Sequence, residues 1–203
     1  MVDLVFPPDI GSSFRAQVRR EQRLVRGSHF WTYEPLLVPG LVQTYAYADL
    51  ILRNFGFQGE RLALYLAFRL GRQALMLERA DAGTSYLFLL NESVLLRRAG
   101  NQMVMAQQME YLEFLADYPG ITIRVIPFTA GAIRGNSPLV ITQVTPSQKL
   151  LFIEGARGDT NYRSAAVVQQ WERIFAGLEA KSLSPRLSMR LISQRATYWR
   201  NAA

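Results

Sequence analysis

Two carboxylates in this sequence occupy positions at which protein folds commonly place reactive groups. Glu92 follows the apolar run 86–90, and Glu154 follows the apolar run 150–153. Such runs are typical of buried β-strands, and α/β sheets commonly contact ligands at the carboxyl ends of their strands. If the two strands are neighbours, both carboxylates face one crevice and are candidates for general acid and base catalysis. The structural alternative is that each carboxylate caps a helix or pairs with a nearby arginine.

Six further residues are candidates for ligand contacts, because they place amide, guanidinium or aromatic groups beside apolar stretches. These residues are Tyr33, Gln43, Arg69, Gln73, Phe88 and Phe128. The two glutamines lie on apolar helical stretches, where a half-buried amide must find a partner on the backbone or on a ligand, and a structural hydrogen bond is the favoured interpretation. The three aromatic residues are candidates for the walls of an apolar cavity, although rings of this kind are also ordinary core.

The residue types that are absent or rare exclude several kinds of chemistry. The chain has no cysteine and a single histidine, His29, so thiol nucleophiles, disulfides and two-histidine metal sites are excluded. The sequence has no Gly-x-Gly-x-x-Gly turn, Walker loop or Gly-x-Ser-x-Gly elbow, and the stretch 155–158 is only a weak candidate for a phosphate loop. We therefore expect no metal, nucleotide or redox cofactor.

Helical and strand patterns alternate along the chain and must position these candidates. The patterns predict helices over 14–26, 44–54, 59–79, 102–117, 163–180 and 185–197, and strands over 86–90, 121–126, 139–144 and 150–153. Helix 102–117 lies between strands 86–90 and 121–126, and this order predicts a parallel crossover. A turn at Pro146 predicts that strands 139–144 and 150–153 form an antiparallel pair. Residues 29–33 are interpreted as a short aromatic connector. The expected fold is α+β, a small mixed β-sheet of about four strands with helices packed from both chain ends, in one domain over 1–203.

Composition and charge limit the environment and the partners. Hydrophobic residues make up 49% of the chain and charged residues 19%, which excludes a disordered chain, and no apolar run is long enough to cross a membrane. The net charge is +7, but the arginines that produce it are spread along the chain, so sequence-specific DNA binding is not expected. Without a basic and apolar leader, a cytoplasmic location is expected. The sequence carries no signal for an oligomeric state.

Several ordered blocks of the sequence resemble those of a known family. The blocks are 39–44 with Tyr47 and Ala48, then Glu60 and Arg61 with Arg69, Arg72 and Gln73, then Asn91 and Glu92, then 125–128, then 153–155, and finally 183–185 with Ser188 and Ile192. In this order they resemble an actinobacterial domain of unknown function that usually lies behind an Xre-type helix-turn-helix. Only 34 residues precede the segment 35–44, too few for that DNA-reading module, so a standalone copy is expected. Asn91 and Ile133 stand where the family typically has an aspartate and a histidine, which removes ionisable groups and adds apolar surface.

Two functions remain open on this evidence. The first, which the resemblance implies, is a regulator-derived domain that binds a small, mainly hydrophobic metabolite or a small partner protein. The second is a cofactor-free enzyme of specialised-metabolite biosynthesis, of the cyclase or isomerase type, in which an apolar pocket preorganises a reactive intermediate and Glu92, Glu154 or an arginine polarises it. Binding is the preferred interpretation, because the single histidine limits catalysis and the family resemblance favours regulators.

Overall fold

Helices and strands alternate through most of the chain. The computed structural model describes residue 4 and residues 6–135, 137–145, 147–154 and 159–202. The elements are α1 (Ser12–Glu21), β1 (His29–Glu34), α2 (Tyr45–Asn54), α3 (Gly59–Asp81), β2 (Ser85–Asn91), α4 (Glu92–Leu96), α5 (Gln102–Ala116), β3 (Ile121–Ile126), β4 (Leu139–Thr145), β5 (Gln148–Ile153), β6 (Thr160–Tyr162), α6 (Ala165–Lys181) and α7 (Pro185–Asn201), with 3-10 turns at Gly40–Val42 and Phe128–Ala130. The described residues thus form seven α-helices and six strands, and the general α+β prediction is confirmed.

The strands form one mixed sheet in the order β3-β2-β1-β4-β5-β6. β1, β2 and β3 run parallel to one another, whereas β4 is antiparallel to β1, β5 to β4, and β6 to β5. The predicted parallel relation of β2 and β3 and the predicted antiparallel pairing of β4 with β5 are confirmed. Pro146, at the predicted turn, and the stretch 155–158 lie outside the described residues.

The prediction of about four strands is wrong, because two strands lack a clear sequence signal. Residues 29–33, interpreted as a connector, form most of β1 at the centre of the sheet, where His29 pairs with Ser85 on one side and with Gln143 on the other. β1 has aromatic side chains on both faces, and both faces are covered, so no alternation of polar and apolar residues marks it as a strand. β6 has only three residues, which is too few to show a period.

Helices cover both faces of the sheet. On the face that we call the broad face, Phe30, Phe88 and Val125 belong to a core that includes side chains of α2, α3, α5 and α7. On the opposite face, Tyr33 and Leu139 belong to a second core that is completed by α6. α1 also lies on the broad face, packed against β4 and β6. In the part of the chain that the structure describes, no helix combines the length and the apolar character needed to cross a bilayer.

Residues 35–44, which we call the roof segment, carry the chain from the end of β1 over the broad face to α2. Pro35 and Pro39 lack backbone N–H groups and prevent a regular helix here, so the segment forms only the short 3-10 turn. Val38 and Val42 are nevertheless almost completely buried. The roof segment is therefore part of the core, and the space beneath it is enclosed by protein.

Candidate functional site

A cavity of about 280 Å³ lies between the broad face of the sheet and the roof segment. Its lining is mostly apolar. The sheet contributes Phe30, Phe88, Val140 and Phe152, the helices contribute Phe14, Ile51 and Phe55, and the roof contributes 36–41. Ligand cavities usually span roughly 300–1,000 Å³ and have mainly apolar walls with a few polar groups. This cavity is at the lower limit of that range, so its size fits a small molecule.

Two carboxylates, Glu34 and Glu154, line one end of the cavity. Tyr33 and Ile153 both pair with Leu139, so the next residue of each strand, Glu34 or Glu154, lies at the level of Pro138. The backbone N–H of Glu154 donates to the Pro138 carbonyl at 3.1 Å. β1 and β5 are separated only by β4, which puts their backbones about 9–10 Å apart. Two side chains that lean towards each other over such a gap can contact one small group.

Glu34 is the more enclosed of the two carboxylates. Glu34 is half-buried and borders the cavity, whereas Glu154 is exposed. Among the described residues, its carboxylate accepts no hydrogen bond and forms no ion pair. Burial raises the pKa of Glu34 well above its ordinary value, the negative charge of Glu154 raises it further, and Arg69 opposes both effects. Glu34 is therefore suited to hold a proton or to receive a cation.

Glu154 lies nearer the mouth of the cavity, where its side chain is exposed to solvent. Its pKa is also raised, first because protein atoms crowd around it and next because Asp159 is close, while Arg72 and Arg69 act in the opposite direction. Its carboxylate too accepts no hydrogen bond from the described residues. The two carboxylates thus face the cavity without a direct partner among the described residues.

The remaining charged groups of the cavity, Glu21, Arg69 and Arg72, form hydrogen bonds to other side chains of the protein. Arg72 donates two hydrogen bonds to Glu21, from Nε at 2.9 Å and from Nη2 at 2.7 Å, and both side chains are buried. Arg69 donates to the side-chain oxygen of Gln43. Burial and the neighbouring Arg72 lower the pKa of Arg69 to about 10, so it stays protonated at neutral pH. Arg72 is therefore a structural group, whereas Arg69 forms no ion pair with the described residues.

Three buried glutamines hold the roof segment in place. Gln43 donates to the Val38 carbonyl at 2.7 Å, within the segment itself. Gln73 of α3 donates to two roof carbonyls at 2.7 and 3.1 Å. Gln108 of α5 donates to the Val42 carbonyl at 2.8 Å and accepts from a roof N–H at 2.7 Å. These amides replace the hydrogen bonds that a helix or a sheet would supply, as buried backbone groups require.

The structure brings together only part of the predicted ligand site. Gln43, Arg69 and Phe88 line the cavity together with Glu154. Gln73 supports the roof and does not line the cavity. Two of the predicted aromatic walls lie elsewhere. Tyr33 is on the α6 face of the sheet, where its hydroxyl donates to the Gly135 carbonyl at 3.0 Å, and Phe128 is exposed in the turn after β3.

The expectation that Glu92 and Glu154 face one crevice is wrong. β2 and β5 are not neighbours, because β1 and β4 lie between them, a separation of three strand spacings or about 14–15 Å. Glu92 instead accepts the backbone N–H of Phe128 at 2.8 Å and pairs with Arg195 of α7 at 3.2 Å. The structural alternative therefore describes Glu92. Glu34 was not predicted as a site residue, because no alternating pattern marks β1 as a strand. Its position at the end of an aromatic, strand-forming run was the available signal.

The cavity combines several kinds of chemical group. Within the described ranges, no three histidine, aspartate or glutamate side chains are grouped so that they could hold a metal ion. Beside the paired Glu21 and Arg72, the described lining offers apolar walls, the carboxylates of Glu34 and Glu154, and the guanidinium group of Arg69. Such a set can bind a small molecule that has both apolar and polar parts.

These features define a mixed α/β domain with a cavity over the broad face of its sheet. The chain belongs to the family described as a domain of unknown function (DUF5753), whose model matches residues 15–194. That range includes every residue that lines the cavity except Phe14. A comparison with curated proteins gives no match.

Proposed function

We propose that this domain binds a small, mainly apolar molecule in the cavity beneath the roof segment. The observation that carries the proposal is Glu34, a half-buried carboxylate that has no hydrogen bond or ion pair among the described residues and borders a mostly apolar space. Burying an ionisable group without a partner costs free energy, and strongly perturbed groups in clefts are typical of functional sites. A bound molecule that satisfies Glu34 would offset this cost.

A small molecule fits the site better than a partner protein does. The unpartnered polar groups lie inside the cavity, below the roof, and are not spread over an open surface. The sequence blocks that resemble a domain found behind Xre-type helix-turn-helix regulators of actinobacteria support a sensing role. We therefore propose a regulator-derived domain whose effector is a metabolite.

A ligand screen on the full chain tests the proposal. Small apolar compounds with one polar group would be ranked by the rise in unfolding temperature that they produce, because a ligand that binds only the folded state stabilises it. Val140 lines the cavity, so Val140→Phe should fill part of it and abolish binding of the hits. Val25 is exposed, so Val25→Phe adds the same volume outside the cavity and should leave binding unchanged. Hits that bind equally well to the Val140→Phe protein would contradict the proposal.

The raised pKa of Glu34 favours a second candidate, a cofactor-free enzyme of the cyclase or isomerase type. A carboxyl group whose pKa is raised holds its proton to a higher pH than an ordinary glutamate does, and a protonated carboxyl can act as a general acid on a molecule held against apolar walls. Compounds that bind would be incubated with the protein and analysed by mass spectrometry and chromatography for isomers or cyclised products. Glu34→Gln should lower any turnover on the order of 100-fold while binding persists. Binding without product formation would leave sensing as the function.

A further inference from the structure

We infer that the ligand carries a protonated amine, which lies between Glu34 and Glu154 at the polar end of the cavity. This inference rests on the proposed function, that the cavity binds a small molecule. It adds the charge and the chemical class of the polar group. The evidence is the difference in pairing among the charged groups that line the cavity.

The carboxylates that line the cavity differ in whether the protein neutralises them. Three carboxylates line the cavity, and the protein neutralises only one of them, Glu21, through the two hydrogen bonds from Arg72. Glu34 and Glu154 have neither an ion pair nor a hydrogen bond to their side chains within the described part of the chain. Glu92, which is half-buried like Glu34, is by contrast paired with Arg195. The cavity therefore keeps two hydrogen-bond acceptors available for a donor that the protein does not supply.

The charges of the groups that line the cavity do not balance. Two guanidinium groups line the cavity against the three carboxylates, so the described lining is negative when all its groups are ionised, although the whole chain is at +7. Asp159 adds a further negative charge near Glu154. A cation that enters the cavity gains attraction from Glu34 and Glu154 in a medium less polar than water, where charge-assisted hydrogen bonds are strong. It also removes the repulsion between them.

An anionic ligand is disfavoured by the same geometry. Among the described residues of the lining, Arg69 is the only cation that does not form an ion pair, and it already donates to Gln43. A carboxylate that reached Arg69 would also approach Glu34 and Glu154, whose charges Arg69 itself experiences. Two repulsive contacts would then oppose one attractive contact.

The apolar walls define the rest of the ligand. The cavity volume of about 280 Å³ equals that of roughly nine water molecules at about 30 Å³ each, so a single ring or a short alkyl chain fits. Leu36 and Phe55 border the cavity and are 51% and 65% exposed, which leaves an apolar rim over which a longer chain can continue. The ligand class is therefore a primary amine on an aromatic or aliphatic body.

The test compares compounds of the same size that differ in one group. 2-Phenylethylamine, 2-phenylethanol and 3-phenylpropanoate would be titrated into the full chain by calorimetry at pH 7, together with butylamine and tryptamine to cover smaller and larger bodies. We expect the best amine to bind about tenfold or more tightly than the alcohol, with the carboxylate weakest. Glu34→Gln and Glu154→Gln should each remove most of the preference for the amine and leave alcohol binding nearly unchanged. Glu92→Gln is the matched control, because Glu92 lies at the same edge of the sheet but outside the cavity, and should retain the preference.

The outcomes separate this inference from the proposed function. If the alcohol binds as tightly as the amine, or if Glu34→Gln and Glu154→Gln keep the preference, the inference is overturned and a small-molecule cavity remains. If the carboxylate binds most tightly, Arg69 is the anchor and the inference is overturned. If no amine and no alcohol binds, both the inference and the proposed function fail.

Discussion

The buried ion pair between Glu21 and Arg72 gives the strongest single prediction for stability. It joins α1 to α3 through two hydrogen bonds of 2.7 and 2.9 Å, and its side chains are only 6% and 9% exposed. Removing one partner of such a pair leaves a buried charge without compensation, which costs about 3–5 kcal/mol. For a chain of 203 residues, each kcal/mol corresponds to about 2–4 °C in the unfolding temperature. Glu21→Leu and Arg72→Met should therefore each lower that temperature by roughly 6–20 °C.

The double variant distinguishes a buried charge from a general packing defect. When both charges are replaced by apolar groups, no uncompensated charge remains, so the combined loss should be much smaller than the sum of the two single losses. Chemical denaturation of the four proteins gives the coupling energy. Asp49→Asn is the control, because it breaks an exposed pair with Arg53 on one helix and should cost less than about 1 kcal/mol. Additive losses, or single losses as small as that of Asp49→Asn, would refute the reasoning.

Four further predictions follow from the site and the fold. Glu34→Gln should stabilise the ligand-free protein at pH 8. The pKa of Glu34 is raised in the folded state, so its carboxyl destabilises the fold as the pH rises above the ordinary value of 4.5. Thermal unfolding should show the gain vanish near pH 4.5, and an equal gain at both pH values would contradict this prediction. Gln73→Ala should cost about 1–3 kcal/mol in urea denaturation, because two carbonyls of the roof segment lose their donor, and an unchanged midpoint would show that water replaces it. Gly120→Ala should destabilise more than Gly56→Ala, since both positions have a positive φ but only at Gly120 would the added Cβ lie 2.9 Å from a backbone carbonyl; equal losses would mean that only the φ strain matters. Mobility-shift assays should show no sequence-selective DNA binding, and tight, salt-resistant retardation would oppose this.

Most elements of the fold, but only a part of the site, could be predicted from the sequence. The site was harder to predict because it depends on the order of the strands in the sheet. Local patterns determine helices and the apolar strands β2 to β5, so these were accessible from the residues alone. The order of strands in the sheet depends on pairing between distant segments, and no local pattern contains it. Glu92 was therefore paired with Glu154 in the prediction, whereas the sheet brings Glu34 to that place.

The side chains around the cavity show the same limit. The strand β1 has Tyr33 and Glu34 as successive residues, and a strand sends successive side chains to opposite faces. Once β1 is known, Glu34 must face the cavity and Tyr33 must face α6. Without that knowledge, the aromatic ring of Tyr33 looked like the better cavity wall. Because β1 was not recognised, the core residue Tyr33 was predicted as a site residue in place of Glu34.

The position of α1 makes the cavity part of the N-terminal end of the fold. This helix begins at Ser12 and supplies Phe14, Gln17 and Glu21 to the cavity lining, so the first element of the chain is also one of its walls. A ligand that shifts these side chains acts on the helix that bears them, with no further element in between. Residues 6–11 lead directly into α1, so a single helix separates them from the cavity. If the cavity binds a ligand as proposed, α1 is the element that connects the bound ligand to the amino end of the domain.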